Sequence, residues 1–426
     1  MPRILVFSTT TGYQLRAFDR AAERIGCELR FATDRCHQLP DPWRDRAIPV
    51  RFYDEPGSLA AVVEALEGRP IDGLLAVGDR PAVLAALAAA QLGVPWHPPE
   101  AARAATNKLV TRERLAAAGL PVPWFFSVPA TADPREAARR ARYPAVVKPL
   151  AMAASRGVMR ADDEEALVAA FERLRRLLAR RDVRAQRHEA HGAILLEGYV
   201  PGEELALEGL LEHGTLHPLA LFDKPDPLEG PFFEETIYVT PSRRPWREQE
   251  TIVHTVAAAC RALGLFHGPV HAECRVNDAG VFVLEIAPRP IGGLCAGALR
   301  FVRRGEGSLS ETIAYEELLL RVAAGETPGA FAREGRAAGV MMIPIPARGI
   351  FKDVRGVDAA RAVPAIEEIV ITAKKDQQIA PLPEGASYLG FIFARGESPE
   401  AVEQALRAAH ARLEFRIERP LPLAIE

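Results

Sequence analysis

Short apolar runs alternate with amphipathic helices through residues 1–98, and this alternation restricts the fold more than any single motif. "RILVFS" (3–8), "CELRFAT" and "DGLLAVG" read as strands, while "YQLRAFDRAAERIG" (13–26), "SLAAVVEALEG" and "RPAVLAALAAAQLG" read as helices. A helix after each strand carries the chain back across the sheet, so the strands run parallel in a small doubly wound α/β domain. The loop "STTTGY" (8–13) lacks G-x-G-x-x-G, which argues for a structural loop rather than a dinucleotide site.

The paired prolines of "WHPPEAARAA" (96–105) mark a boundary, after which "TNKLVTRERLAAAG" (106–119) reads as a helix from a Thr cap to a Gly stop. "YPAVVKPL" (143–150) is a buried strand, "AMAASRGVMRA" (151–161) a small-residue loop, and a charged helix follows over 163–181. "GAILLEGYV" (192–200) and "EELALEGLLE" (203–212) are strands joined by Pro-Gly. In "PLALFDKPDPLEGPFFEETIYVTPS" (218–242) two strands flank a Pro-rich loop long enough to suggest function, and a helix at 247–264 follows. Past a Gly-rich stretch, "GVMMIPIP", "IEEIVITA" and "YLGFIFARG" are strands. "SPEAVEQALRAAHARLEF" is a helix with Ser398 as cap and Pro399 at its first position. The expected division is an α/β domain (1–98), a central domain (99–330) with a lid over about 125–200, and an α+β domain (335–426).

Composition excludes more than it selects. A formal net charge of -3 gives no reason to expect nucleic acid or a membrane surface as partner. No apolar run approaches the ~18 residues of a membrane span, and "MPRILVFSTT" is too short a run for a secretory signal. Cysteines 27, 36, 260, 274 and 295 show no CxxC spacing, so reduced thiols in a cytoplasm are expected. Of 53 basic residues only six are lysines, so a lysine that persists in this arginine-rich background is a candidate for a role that arginine does not fill.

"VHAECRVNDAGVFVLEIAPRP" (270–290) places Glu273 and Glu285 on two apolar strands. A three-residue loop at Asp278-Ala279-Gly280 would pair Asn277 with Val281, and therefore Glu273 directly with Glu285, whereas a two-residue turn would break that pairing. Like charges about 5 Å apart repel, so a cation is needed there. Mg²⁺ carrying nucleotide phosphates suits two rigid carboxylates; pairing with Arg275 or Arg289 is the alternative. Arg289, between Pro288 and Pro290 and followed by Gly292 and Gly293, suits a carboxylate or acyl phosphate. Lys148 ends its strand just before the small-residue loop, as a phosphate-binding lysine would, and no GxxxxGK[ST] exists to suggest a P-loop. Lys224, Glu234 and Glu235 in the long loop would read a substrate's charged ends or remain solvated. His267 and His271 read as packing residues, and the His188/His191 pair lacks a third zinc ligand.

Taken in order, "TNK" (106–108), "VVKP" (146–149), "AASRGV" (153–158), "LLEGYVPGEE" (195–204), "HAEC" (271–274) and "LEIAPRPIGG" (284–293) resemble the ATP-grasp superfamily of carboxylate–amine ligases. The likeness covers roughly residues 1–420 and is nearest the L-amino-acid ligase (dipeptide synthetase) branch, with biotin carboxylase more distant. The resemblance implies an ATP-grasp fold between the α/β and α+β domains, and an amide-forming reaction through an acyl phosphate. It implies ATP and Mg²⁺ (or Mn²⁺), small carboxylate and amine substrates, and a homodimer. By the same resemblance Lys108 and Lys148 hold phosphates, under a loop containing Ser155 and Gly157. Glu197, Tyr199 and Val200 frame the adenine, Glu204 takes the ribose, Glu273 and Glu285 bind metal, and Arg289 holds the acceptor carboxylate. The pattern departs at Ala287, where the family carries a metal-ligating Asn. Bicarbonate or nucleotide-precursor activation, and a non-catalytic ATP-binding module, stay open as other readings.

Overall fold

A computed structural model describes residues 1–9, 15–34, 47–305 and 311–419. Thr10–Tyr13 of the first loop and Cys36 lie outside them. The first unit is a four-stranded parallel sheet in the order Ala47–Pro49, Glu28–Thr33, Arg3–Ser8, Gly73–Val77. Helices Leu15–Ile25, Glu55–Ala65 and Asp79–Leu92 cover it, as the alternating pattern predicts.

Two departures follow the first unit. The proline pair does not mark a bare linker: Pro99 opens a helix, Pro99–Ala105, at the position where its missing N–H costs nothing. The next helix, Lys108–Ala117, is capped by Asn107, whose side chain accepts from Leu109 N and Val110 N at 3.1 and 3.4 Å. Thr106 instead turns back, its Oγ1 donating to Ala102 O at 2.9 Å.

The segment expected as a lid is an antiparallel sheet in the order Phe125–Pro129, Ala193–Gly198, Ala145–Pro149, Met159–Ala161, backed by helices Pro134–Arg140 and Glu164–Leu178. The largest sheet has eight strands. Its order is Gly280–Ala287, Gly268–Asn277, Glu203–Glu212, Thr215–Asp223, Ile237–Thr240, Ala337–Ile343, Gly390–Gly396, Ile366–Ile371. This sheet crosses the boundary expected at 335. Ile237–Thr240 pairs along its length with 338–341, so Ala337–Ile343, Gly390–Gly396 and Ile366–Ile371 extend the central sheet, while Gln378–Ile379, Gly349–Arg355 and Glu414–Glu418 form a small sheet of their own. Helix Trp246–Leu263 covers the hairpin half of that sheet, burying Ile252, Val256 and Leu263. Pro399–His410, capped by Ser398 as expected, covers the other half with Val402, Leu406 and Ala409. The last residues of that expected helix instead enter the strand Glu414–Glu418.

The hairpin turns differently from the prediction and reaches the same pairing. Asn277 pairs with Gly280, leaving a two-residue turn, and a bulge at Leu284 then restores Glu273 opposite Glu285. The four described cysteines carry free thiols. Among the described residues, no helix is long and apolar enough to cross a membrane.

Candidate active site

A cavity of about 270 Å³ opens between the lid, the hairpin and the edge of the first sheet. Lys108, Lys148, Ser155, Glu197, Tyr199, Val200, Glu204, Glu235, Glu273, Glu285, Arg289, Gly292 and Gly293 all line it. Gly157 and Lys224 are not among the lining residues: Gly157 lies between the lining Ser155 and Val158 in the chain, and Lys224 contacts the lining carboxylates of Glu204, Glu235 and Glu273. Residues more than 180 positions apart in sequence therefore share one chamber, from Lys108 to Gly293.

Lys148 and Glu197 sit on adjacent lid strands, with the Lys148 ammonium in direct contact with the Glu197 carboxylate. Arg112, fully buried on the helix behind, donates Nε–H to the same carboxylate at 2.8 Å and Nη2–H at 3.3 Å. Burial pushes the Glu197 carboxyl up, but Arg112 and Lys148 outweigh it and bring it down to about 2. Burial, reinforced by Arg112, lowers the Lys148 ammonium, and Glu197 opposes that shift. Lys108 binds Glu285 at 2.9 Å and donates to the carbonyl of Met152, also at 2.9 Å, tying the hairpin to the start of the lid loop.

The cation beside Glu273 is Lys224, not Arg275 or Arg289. Its Nζ lies 2.8 Å from Glu204 and 3.2 Å from Glu273, and contacts Glu235. Lys224 is buried over the Tyr238 ring, so the solvated-loop alternative does not hold for it. Glu204, Glu235 and Glu273 bring carboxylate oxygens within 4.8 Å of one another, a grouping that could hold a metal ion. Burial and the neighbouring Glu273 charge raise Glu235 to about 8. Burial also opposes ionisation of Glu273, but Lys224 and His271 overcome it and hold Glu273 well below the carboxylate range.

Arg275 is engaged elsewhere. It donates to Glu204 at 3.0 Å and to the Val200 carbonyl at 2.8 Å, under the rings of Tyr199 and Phe233. Tyr199 N–H donates to Pro144 O at 3.0 Å. Glu204 therefore arrives at the cavity already bound to two cations, and two of the backbone groups expected at an adenine are committed within the chain.

Arg289 is aimed by a residue that the motif reading missed. Asp79, the first residue of the helix Asp79–Leu92, accepts Nε–H at 2.9 Å and Nη2–H at 3.2 Å in a two-pronged pair. His271, read from the sequence as a packing residue, is held in a polar network instead. Glu208, fully buried, holds Nδ1 at 2.9 Å, and Nε2 lies 3.7 Å from Glu273. Glu208 also accepts from Tyr315 and, at 3.0 Å, from Ile291 N. Burial lowers the His271 imidazole, but Glu208 and Glu273 outweigh it and raise it to about 9. Ala287 is buried directly across from His271, so an imidazole borders Glu273 on the side of the missing amide. The Pro288-Arg289-Pro290 clamp signalled Arg289; nothing local signals Asp79 or Glu208.

Three stretches of the chain match known families. Residues 141–298 match the ATP-grasp domain, 18–96 the ATP-grasp N-terminal domain, and 341–418 the L-amino acid ligase C-terminal domain 2. The chain thus carries an ATP-grasp fold, with an ATP-grasp domain behind an ATP-grasp N-terminal domain. Within that class the chain is similar over its full length to the L-amino acid ligase from Bacillus licheniformis. That structure superposes with a TM-score of 0.80 at 25% identity, covering 98% of this chain and 99% of that one. N5-carboxyaminoimidazole ribonucleotide synthetase from Thermotoga maritima shares the fold, with a TM-score of 0.69 at 17% identity over 98% of this chain and 100% of that one. Carnosine synthase 1 of Gallus gallus is 37% identical over 247 residues, 54% of this chain and 26% of that protein. The ATP-grasp enzyme fsqD of Aspergillus fumigatus is 26% identical over 323 residues, 65% of this chain and 53% of that protein. The chain thus spans about half or less of the length of these two curated relatives.

Proposed function

We propose that the chain is an ATP-dependent carboxylate–amine ligase that joins amino acids and releases ADP and phosphate. One observation carries this reading: two lysines, the paired glutamates and a carboxylate-locked arginine converge on a single cavity. Phosphoryl transfer asks mainly for positioning and for neutralisation of charge, and these groups supply both.

Lys108 and Lys148 would hold the phosphates of ATP, with the loop around Ser155 covering them. Tyr199 and Val200 would border the adenine, where the Val200 N–H is the group left for reading the base, and Glu204 would face the ribose. Arg289 keeps N–H donors beyond those given to Asp79 and Pro290 O, and with Gly292 and Gly293 would orient the substrate carboxylate. That carboxylate takes the γ-phosphoryl group, and an amine then attacks the acyl phosphate, forming the amide and releasing phosphate. Glu235, whose ionisation burial and the Glu273 charge disfavour, would face the incoming amine and, in its ionised form, would take the proton that the amine loses. The cross-strand pair Glu273 and Glu285, all oxygen and all on rigid strands, fits a Mg²⁺ or Mn²⁺ ion. Such an ion would neutralise the phosphate oxygens. From the resemblance alone, we assign the reaction to a homodimer in the cytoplasm.

Phosphate release from Mg·ATP is the test, with amino acids offered singly and in pairs to the wild type, Glu285→Ala and Arg289→Ala. Release requiring a particular pair and lost in both variants is expected. Release with bicarbonate alone would move the chain to carboxyphosphate chemistry. Bound ATP without release under any condition would replace the ligase by a binding module and make Ala287 the reason.

A further inference from the structure

The loop that would cover the phosphates is tied down from outside the lid, on two sides. Gly157 N–H donates to Pro383 O at 2.9 Å, and Arg156 Nε–H donates to Glu384 O at 3.1 Å. The Glu384 carboxylate accepts from Arg173 of the lid helix at 2.6 and 3.0 Å, with Arg348 at 3.7 Å on the same group. On the other side, Arg160 N–H donates to Pro231 O at 2.9 Å, and Arg160 Nη1 donates to Glu229 O at 2.8 Å.

Both tethering segments lead directly into the cavity wall. Pro231 is followed by Phe233 and Glu235, and Glu384 by Tyr388, all of which line the chamber. The covering loop itself does not close by regular structure: Ala154 and Ser155 hold φ of 55° and 52°, in the left-handed region. Gly157, at φ 79°, packs so closely that a Cβ would meet Leu174 Cδ1 at 2.9 Å. A loop with this backbone persists only where its surroundings hold it.

We infer that Glu384, together with the carbonyl of Pro383, is a positioning residue that holds the phosphate-covering loop shut and links it to the wall of the substrate chamber. The two-pronged pair with Arg173 fixes the lid helix, and the Pro383 carbonyl fixes the loop at Gly157. Movement of Tyr388 on substrate entry is then transmitted to the loop over ATP through four residues of chain. Binding of the substrate pair and binding of ATP are therefore coupled, and by linkage the coupling is reciprocal. This inference rests on the ligase reading of the cavity.

The test uses the full chain carrying Glu384→Gln, Glu384→Arg, Arg173→Glu, and the double exchange. Three quantities are compared: ATP affinity with and without the substrate pair, the split between KM for ATP and kcat, and tryptic cleavage at Arg156 and Arg160. Glu384→Gln keeps shape and packing, so its melting curve should overlay the wild type. Its KM for ATP should rise about fivefold, the scale of a partly exposed ion pair, with kcat changed less than about twofold. Each charge reversal should speed cleavage of the loop, and the double exchange should restore protection and KM. Unchanged KM and unchanged cleavage in Glu384→Gln would overturn the proposal, as would a folded double exchange that restores neither. A wild type that binds no ATP would sink the ligase reading itself. A wild type that binds ATP identically to its variants would sink only the link.

Discussion

Glu197 is a buried carboxylate whose whole environment is cationic, and its titration should be visible in stability. Burial alone would raise its pKa; Arg112 and Lys148 reverse that and bring it to about 2. A depressed acid contributes stability that is complete above its unfolded value near 4.5 and is lost as pH falls through the folded value. The melting temperature of the wild type should therefore fall between pH 4.5 and 2 partly on account of this group. Glu197→Gln should flatten that part of the acid limb, and at neutral pH should cost about 3–5 kcal/mol by leaving two buried cations uncompensated. Melting curves for both proteins across that range check it, and parallel limbs would remove Glu197 from the account. The residues of the cavity were largely readable as motifs, since Lys108, Lys148, Glu273, Glu285 and Arg289 each stand in a distinctive local context. Their partners were not. Arg112 meets Glu197 across 85 positions and Asp79 meets Arg289 across 210, and no local pattern carries such pairings.

At the scale of elements, periodicity and punctuation located most strands and helices, and the misses have physical causes. The hairpin turn is one residue shorter than Gly280 suggested, yet the glutamates still face each other because the bulge at Leu284 absorbs the slip. A bulge leaves little trace in composition, so the correct pairing was reached by the wrong turn. Helix Pro99–Ala105 was missed because Pro-Pro reads as a break, although proline is favoured at a helix start. Packing between elements shows where glycine is indispensable. A Cβ at Gly73 would lie 1.9 Å from the carbonyl oxygen of Ala323, so the strand Gly73–Val77 and the helix Tyr315–Ala323 touch backbone to backbone. Gly73→Ala should push that helix off the first sheet and cost about 3 kcal/mol, at the upper end of overpacking. Chemical denaturation measures this directly, and a change under about 0.5 kcal/mol, the level of an ordinary surface substitution, would show that the helix shifts freely.

The whole molecule assembles its chamber from units that the sequence reading kept apart. Alternating patterns made the first α/β unit legible, but three C-terminal strands join the central sheet through Ile237–Thr240, a pairing between segments about a hundred positions apart. The first unit also does more than precede the site, because it supplies the carboxylate that orients Arg289. Asp79 opens its helix at the rim of the parallel sheet, where it reaches the Pro-clamped arginine in a two-pronged pair. Loss of the pair should disturb the substrate carboxylate before it disturbs ATP, since Lys108 and Lys148 are anchored by Glu285 and Glu197 instead. Asp79→Asn keeps the shape but weakens both hydrogen bonds and leaves the guanidinium without its counter-charge. Its KM for the carboxylate substrate should rise about tenfold, equivalent to ~1.4 kcal/mol, while KM for ATP stays within about twofold. Asp79→Glu, which retains the charge at a longer reach, should recover part of the loss. Initial rates of phosphate release with each substrate varied in turn separate the two constants. An equal rise in both would mean that the first unit supports the chamber only as a scaffold, because misplacing the whole wall affects nucleotide and acceptor together, whereas loosening one guanidinium affects the acceptor alone.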